Sequence, residues 1–128
     1  MSYYFSKTIE MPFNEAITHV TEALAAKGFG VLTTIDVSAT MKSKLGVEFK
    51  PYTILGACNP HLARRALEVE DKIGTMLPCN VVVREAAPGK VEVAAVDPVA
   101  SMASVENPRL GEVAAGVRDL LAEIVRQL

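Results

Sequence analysis

The chain has 128 residues, of which 50% are hydrophobic and 22% are charged, so its composition is that of a folded protein rather than a disordered one. This length suits a single domain, and we expect residues 1–128 to form it. The 13 basic and 15 acidic residues give a net charge of −2, which argues against a dedicated nucleic-acid or membrane-surface protein.

The compartment is indicated by the N-terminus, the hydropathy pattern and the cysteines. The first residues lack the apolar stretch and the cleavage site of a signal peptide. The longest stretch without a charged side chain, residues 51–63, is shorter than the roughly 18 residues that suggest a membrane span. The two cysteines, Cys58 and Cys79, are too few for a disulfide framework. We therefore expect a cytoplasmic protein with both thiols reduced.

The first part of the chain predicts a strand followed by a helix. Side chains alternate in polarity over residues 3–10, as in a half-buried strand. Pro12 suits a first helical turn, and Gly28 suits the left-handed conformation that often ends a helix. Between them, four apolar residues recur at helical spacing: Phe13, Ile17, Val20 and Leu24.

A second strand and a short helix are predicted next. Residues 29–37 are rich in β-branched side chains, and a strand would place four of them on one face: Val31, Thr33, Ile35 and Val37. Ser38 is expected to cap a helix that runs through Leu45 and ends at Gly46.

A third strand over residues 52–57 leads to a helix that starts at Asn59 and Pro60. Asn is a preferred N-cap, and Pro is tolerated in the first turn because no amide hydrogen is needed there. We expect this helix to end near Gly74, with an inner stripe formed by Leu62, Ala66, Val69 and Ile73.

The last part of the chain predicts a hairpin and a long helix. Residues 77–84 contain Val81-Val82-Val83, and the Pro88-Gly89 turn leads into a further strand. Asp97-Pro98 is interpreted as a closing turn, and Asn107-Pro108 as the start of the helix. Its apolar face would comprise Leu110, Val113, Val117, Leu120 and Ile124. The element order predicts a two-layer α+β domain with helices against one sheet.

Chemically useful features converge at residues 56–61, where a strand stops and a helix begins. A thiolate at Cys58 would be stabilised by the unpaired amide hydrogens of the helix start, and an anion would find donors there. His61 stands two positions into the helix, within reach of Cys58.

Four interpretations of this segment remain open. Cys58 activated by His61 would be a redox or nucleophilic site. Cys58, His61 and Cys79 would form a metal site, although no Cys-x-x-Cys pair supports it. The backbone amides, helped by nearby cationic side chains, would bind a small anion. In the structural interpretation, Asn59 merely caps the helix and Cys58 packs in the core. A shared site requires antiparallel strands, because parallel ones would separate Cys58 from Cys79 by roughly 20 Å.

Other functional patterns are weak. No glycine-rich phosphate loop occurs, and His19 is interpreted as a surface side chain of the first helix. With only 5% aromatic residues, the chain offers no stacking platform for bases. Tyr3, Tyr4 and Phe5 on an N-terminal edge strand would suit a dimer contact.

Several motifs together resemble those of the bacterial and archaeal family called domain of unknown function 302. They are Ile54-Leu55-Gly56-Ala57-Cys58-Asn59-Pro60, Ile73-Gly74, Leu77-Pro78-Cys79-Asn80-Val81-Val82-Val83 and Asp97-Pro98. The resemblance implies a small α+β domain with a largely antiparallel sheet, similar to the TATA-box-binding-protein-like or helix-grip group, and a homodimer. It carries over Cys58, Asn59, Pro60, Pro78 and Cys79 as motif residues, but not His61.

The sequence therefore predicts a small binding or accessory domain without a cofactor. Its pocket for a small ligand or an anion is expected at Cys58, Asn59, His61 and Cys79. Two alternatives stay open: a thiol-dependent redox or nucleophilic enzyme that uses Cys58, and a structural homodimerisation module, favoured if the last helix leaves its apolar face exposed. Nucleic acid and membrane are not expected as partners.

Overall fold

A computed structural model describes residues 2–128 as one sheet with helices on one of its faces. The elements in chain order are β1 (Tyr4–Glu10), α1 (Phe13–Ala26), β2 (Gly30–Asp36), α2 (Val37–Leu45), β3 (Tyr52–Cys58), α3 (Pro60–Val69), a 3-10 turn (Ile73–Met76), β4 (Cys79–Ala87), β5 (Lys90–Val96), α4 (Pro98–Ser101) and α5 (Pro108–Arg126).

The five strands lie in the order β1-β5-β4-β3-β2, and every neighbouring pair is antiparallel. The predicted α+β class, with helices packed on one face of an antiparallel sheet, is confirmed. The central strands β5, β4 and β3 bury alternate side chains against α1 and α5, as the two-residue period of a strand requires. β2 lies at one edge, and most of its side chains are exposed.

The core has two parts that share α5. The larger part lies between the sheet and helices α1 and α5, around Leu24, Leu55, Val83 and Leu121. The smaller part, around Ile73 and Leu110, fills the space between α3, α4 and α5. α5 is therefore apolar along its whole inner face, because its first half packs in the smaller part of the core and its second half packs in the larger part.

The predicted stripe of α5 is nearly the one observed. Leu110, Val113, Val117 and Ile124 are buried, whereas Leu120 is half-buried because Leu121 occupies the core position beside it. Since this face is buried within the chain, the exposed apolar face that would have favoured dimerisation through the last helix is absent from residues 2–128.

Three helices begin with the same pair of signals. Asn59, Asn107 and Asp97 each accept a hydrogen bond from a backbone amide of the first turn, and each is followed by proline. The interpretation of Asp97-Pro98 as a simple turn is wrong, because Asp97 accepts from the Val99 amide at 2.9 Å and starts α4.

The region from β2 to α2 differs from its prediction in two ways. Val31 pairs with Ala57, but Thr33 pairs with Gly56, because a bulge at the intervening residue shifts the register. Val31 and Thr33 therefore lie on opposite faces instead of one. The cap of α2 is Asp36 rather than Ser38, and its carboxylate accepts from the Ala39 amide at 2.9 Å. Gly46 ends α2 with a φ of 66°, as predicted.

α3 is shorter than predicted, because it ends at Val69 and not near Gly74. The Asn107 side chain, 38 residues further along, donates from Nδ2 to the Val69 carbonyl at 2.8 Å. This bond satisfies one of the carbonyls that a helix leaves unpaired at its C-terminus. Ile73, which was assigned to the helical stripe, is buried in the 3-10 turn instead.

Candidate functional site

The two cysteines lie at one edge of the sheet, where β3 ends and β4 begins. β3 and β4 are antiparallel, and Ala57 is the direct partner of Cys79. Directly paired α-carbons of antiparallel strands are about 5 Å apart. Cys58 is the next residue after Ala57, so the backbones of the two cysteines are close neighbours.

The pleat of the sheet gives the two cysteines different settings. Directly paired residues share a face, so Cys79 lies with Ala57 on the face that the helices cover, and both are buried. Cys58, one position on, is half-buried at the point where the chain leaves the sheet for α3. Both cysteines are free thiols, and within residues 2–128 no hydrogen bond joins them.

A cavity of about 30 Å³ lies beside the two cysteines, bounded by the strand ends, α3, α4 and α5. This is space for one or two water-sized groups. Its walls are mostly apolar and include Phe29, Leu62, Leu77, Val113 and Val117. The cavity therefore sits at the junction of the two parts of the core.

Three sulfur-bearing side chains line this cavity: Cys58, Cys79 and Met102. Cys79 and Met102 are each only 8% exposed. Met102 follows α4 directly as its C-terminal capping residue, and it packs in the smaller part of the core. Met102 is not among the site residues predicted from the sequence. The signal that would have found it is Asp97-Pro98, because a helix starting there carries the chain back towards α3 and α5.

The Cys79 thiol is protonated at neutral pH. Burial, and to a smaller extent the neighbouring Cys58, raises the pKa of Cys79 from its ordinary value near 9 to about 11. A thiolate is the nucleophilic form of cysteine, so Cys79 is not an activated nucleophile in the free protein.

Asn59 connects the cavity to the start of α3. Its Oδ1 accepts a hydrogen bond from the Leu62 amide at 3.3 Å, as the predicted N-cap requires. The amide group of Asn59 also packs beside Gly28, where an added Cβ would lie 3.1 Å from Asn59 Nδ2. Gly28 has a φ of 85°, so a glycine is favoured there by its conformation as well as by space.

Gly56 is enclosed on the sheet face opposite the helices. A Cβ at this position would overlap Thr33 Oγ1 and would lie 2.7 Å from Pro78 Cγ. Real Cβ atoms do not approach other atoms this closely, so β2, β3 and the residue before β4 meet here only because Gly56 has no side chain. Gly56 thereby fixes the spacing of the strands next to the cysteines.

His61 is not part of the cavity. It is exposed on the first turn of α3 and does not line the space beside Cys58. The cavity wall includes Asn59 but no charged side chain from residues 2–128. The structure thus brings Cys58, Asn59 and Cys79 together at the cavity and leaves His61 outside it.

Residues 2–128 contain neither a His, Cys, Asp and Glu cluster for a metal ion nor a helix that could span a membrane. No group of three or more His, Cys, Asp or Glu side chains is arranged to hold a metal ion. No helix in that range has both the length and the hydropathy to cross a membrane.

Comparison with known proteins places the whole chain in one family. Residues 5–128 match the family described as domain of unknown function DUF302. The crystal structure of an uncharacterized conserved protein DUF302 from Bacillus stearothermophilus is similar, with 30% sequence identity and a TM-score of 0.90 over 99% of this chain and 98% of that one. No curated protein matches the chain. With its antiparallel sheet, its covering helices and a match over nearly its full length, the chain belongs to the DUF302 family.

Proposed function

We propose that this protein is a small binding domain whose ligand enters the cavity beside Cys58 and Cys79. The single observation that carries the proposal is that cavity, which lies between the two parts of the core at a sheet edge. Binding sites are typically concave, mostly apolar and equipped with a few polar groups that orient the ligand. Here the orienting groups are the two thiols and the Asn59 amide.

The chemistry of the walls favours an uncharged or polarisable group over an anion. No cationic side chain of the described residues lines the cavity, and the Asn59 oxygen already pairs with the Leu62 amide. An anion in such surroundings would lose its hydration without gaining a counter-charge, which is costly. A soft or apolar group loses little hydration and gains contact with the walls.

The enzyme interpretation receives less support than the binding interpretation. A nucleophilic Cys58 needs a base that takes up its proton. His61, the base suggested by the sequence, is exposed outside the cavity, and the neighbouring Cys79 is a neutral thiol at physiological pH. We therefore assign Cys58 and Cys79 to binding and not to catalysis.

Thiol labelling of the native protein tests whether the cavity is accessible. We expect iodoacetamide to modify Cys58, which is half-buried, and to leave the buried Cys79 intact until the protein is denatured. Peptide mass spectrometry locates the label, and a Cys58→Ala variant controls for its position. If neither cysteine reacts before denaturation, no ligand of that size enters and the proposal fails.

A second proposed property is homodimerisation through the outer arm, defined as β2, α2 and residues 46–50. α2 has no buried residue, and Leu45 is 69% exposed. Such a concentration of exposed apolar side chains is typical of a protein interface. The exposed apolar residues of the arm are Leu32, Ile35, Leu45, Val47 and Phe49.

Mass measurement in solution at several concentrations tests the dimer. We expect the unaltered chain to be a dimer, and a variant with both Leu45→Asp and Val47→Asp to be a monomer, since buried charges oppose association. Leu67→Asp is the matched control, because Leu67 is an exposed leucine on α3, outside the arm. A monomeric parent chain, or a dimeric arm variant, would contradict this assignment.

We also propose that the protein works in the cytoplasm. The support is chemical: Cys58 and Cys79 are neighbours at the sheet edge and are both free thiols, a state that persists in reducing compartments. Cell fractionation with an antibody against the protein tests this, and recovery in an exported fraction would refute it.

A further inference from the structure

We propose that the cavity binds one soft monovalent metal ion, for which copper(I) is the physiological candidate and silver(I) the redox-stable probe. The inference rests on the proposed binding function and names its ligand class. It arises from the sulfur donors Cys58, Cys79 and Met102, which belong to three separate parts of the chain and line one cavity.

The donor set matches such an ion. Thiolate and thioether sulfur select copper(I), whereas magnesium and calcium take carboxylate, carbonyl and water oxygen. Among residues 2–128, no carboxylate and no imidazole lines the cavity. Structural zinc sites use four Cys or His ligands, and only two side chains of those kinds are present here. The chain has two cysteines, and both line this one cavity.

The space also suits a single ion. A volume of about 30 Å³ admits a bare ion or a water-sized group, but not a metabolite. Met102 and Cys79 are almost completely buried, so an ion held between them would be shielded from water. Shielding of this kind protects copper(I) from exchange and oxidation.

The binding of copper(I) can be written with all protons and charges accounted for. Each cysteine that ligates the ion loses its thiol proton to solvent, so one copper(I) bound to two thiolates and one thioether releases two protons and carries a net charge of −1. No electron is transferred. α3 has ten residues, and its N-terminus follows Cys58 directly through Asn59. The positive end of this helix dipole offsets the excess negative charge of the bound complex.

Anaerobic titration of the full chain with silver(I) in a chloride-free buffer is the first test. We expect one silver ion per chain by native mass spectrometry and an ultraviolet thiolate-to-metal charge-transfer band. Competition with a chromogenic copper(I) chelator then gives the affinity for copper(I). A 100-fold excess of zinc(II) over silver(I) should not displace the bound ion.

Variants assign the ligands. Cys58→Ala and Cys79→Ala should each lower copper(I) affinity by more than about 100-fold, which exceeds the effect of losing an outer-shell partner. Met102→Leu keeps the volume of the side chain and removes only the sulfur, so we expect a smaller loss of about 10-fold. Met41→Leu is the matched control, because Met41 is half-buried on α2, away from the cavity, and should bind like the parent chain.

The outcomes separate this inference from the function on which it rests. If Cys58 is labelled in the native protein but silver(I) and copper(I) do not bind, the metal inference fails and the binding function stands. If Met102→Leu equals the parent chain, or if zinc(II) displaces the bound ion, the three-sulfur site is wrong. If Cys58 is inaccessible and no metal binds, both proposals fail.

Discussion

The cavity end of the molecule, where β3 and β4 meet α3 and α5, contrasts with the outer arm at the β2 edge. Both regions are rich in β-branched and apolar residues, and both contain a strand followed directly by a helix with a polar N-cap. At the cavity end these residues are enclosed, whereas in the arm most of them are exposed. Position in the sheet, rather than local composition, therefore decides which apolar residues join the core.

The arm is also built differently at the level of its backbone. The bulge between Val31 and Thr33 sends Val31 to the core face and Thr33 to the opposite face, next to Gly56. A bulge in an edge strand discourages pairing of that edge with another strand. Association through the arm would therefore use side chains of α2 and residues 46–50 in preference to continuation of the sheet.

The largest expected difference between the regions is in the cost of removing a leucine side chain. Leu55 is 1% exposed in the central strand β3, so Leu55→Ala should destabilise the protein by about 2–5 kcal/mol. Leu45→Ala in the arm should cost less than about 0.5 kcal/mol in the monomer. Denaturant unfolding of both variants, with m-values compared, measures this. Equal costs would mean that the arm is packed in solution.

The second prediction concerns pH and the cavity end alone. Below pH 9 Cys79 is neutral in both the folded and the unfolded state. Between pH 9 and 11 the unfolded thiol ionises while the folded one stays protonated, so stability is lost as pH rises through this range. Two pKa units correspond to a full loss of about 3 kcal/mol, of which about 2 kcal/mol is lost by pH 11, where the folded thiol is half ionised.

Chemical unfolding at pH 8.5 and at pH 11 measures this loss, with Cys79→Ala as the comparison. The free energy of unfolding of the variant should fall less between these two pH values, and the difference from the parent chain should equal the loss assigned to Cys79. Lysine and tyrosine titrations are common to both proteins and therefore cancel. Identical slopes would show that Cys79 is solvated in the folded state.

The smallest expected effect concerns Gly56, which joins the two regions. Gly56→Ala should destabilise the protein by about 1–3 kcal/mol, because the added Cβ displaces Thr33 on one side and Pro78 on the other. Gly30→Ala in β2 is the control, since a Cβ there meets nothing within 4 Å, and it should stay within about 0.5 kcal/mol. Thermal unfolding of the two variants measures both changes in stability. A Gly56→Ala variant as stable as the parent chain would mean that the strands separate easily at this point.

Local sequence signals were enough for most of the fold. Asn59-Pro60 and Asn107-Pro108 start helices, Gly46 ends one, and Pro88-Gly89 turns a hairpin, because each signal acts within a few residues. The α+β class followed from the order of these elements.

Features that depend on distant residues could not be predicted in this way. The end of α3 depends on the Asn107 side chain, which is far along the chain. The bulge in β2 accompanies a close approach to Gly56 across the sheet. For the candidate site, the motif identified Cys58, Asn59 and Cys79, which line one cavity, whereas His61, which was added from its place in the first turn of α3, lies outside that cavity, and Met102 was not predicted. Nothing in the local pattern shows which way an exposed first-turn histidine faces, or that α4 returns the chain to the cavity.

α5 extends from the cavity into the larger part of the core. Val113 and Ala114 line the cavity, and Leu121 and Ile124 pack in the larger part of the core. Because α5 packs at both places, it cannot tilt at one end without disturbing its contacts at the other end. Whatever widens the small space at its first turns must therefore loosen contacts with the sheet some 15 Å away, as a helix rise of 1.5 Å per residue implies. Amide hydrogen exchange in the second half of this helix should consequently become faster when a larger occupant widens the distant cavity.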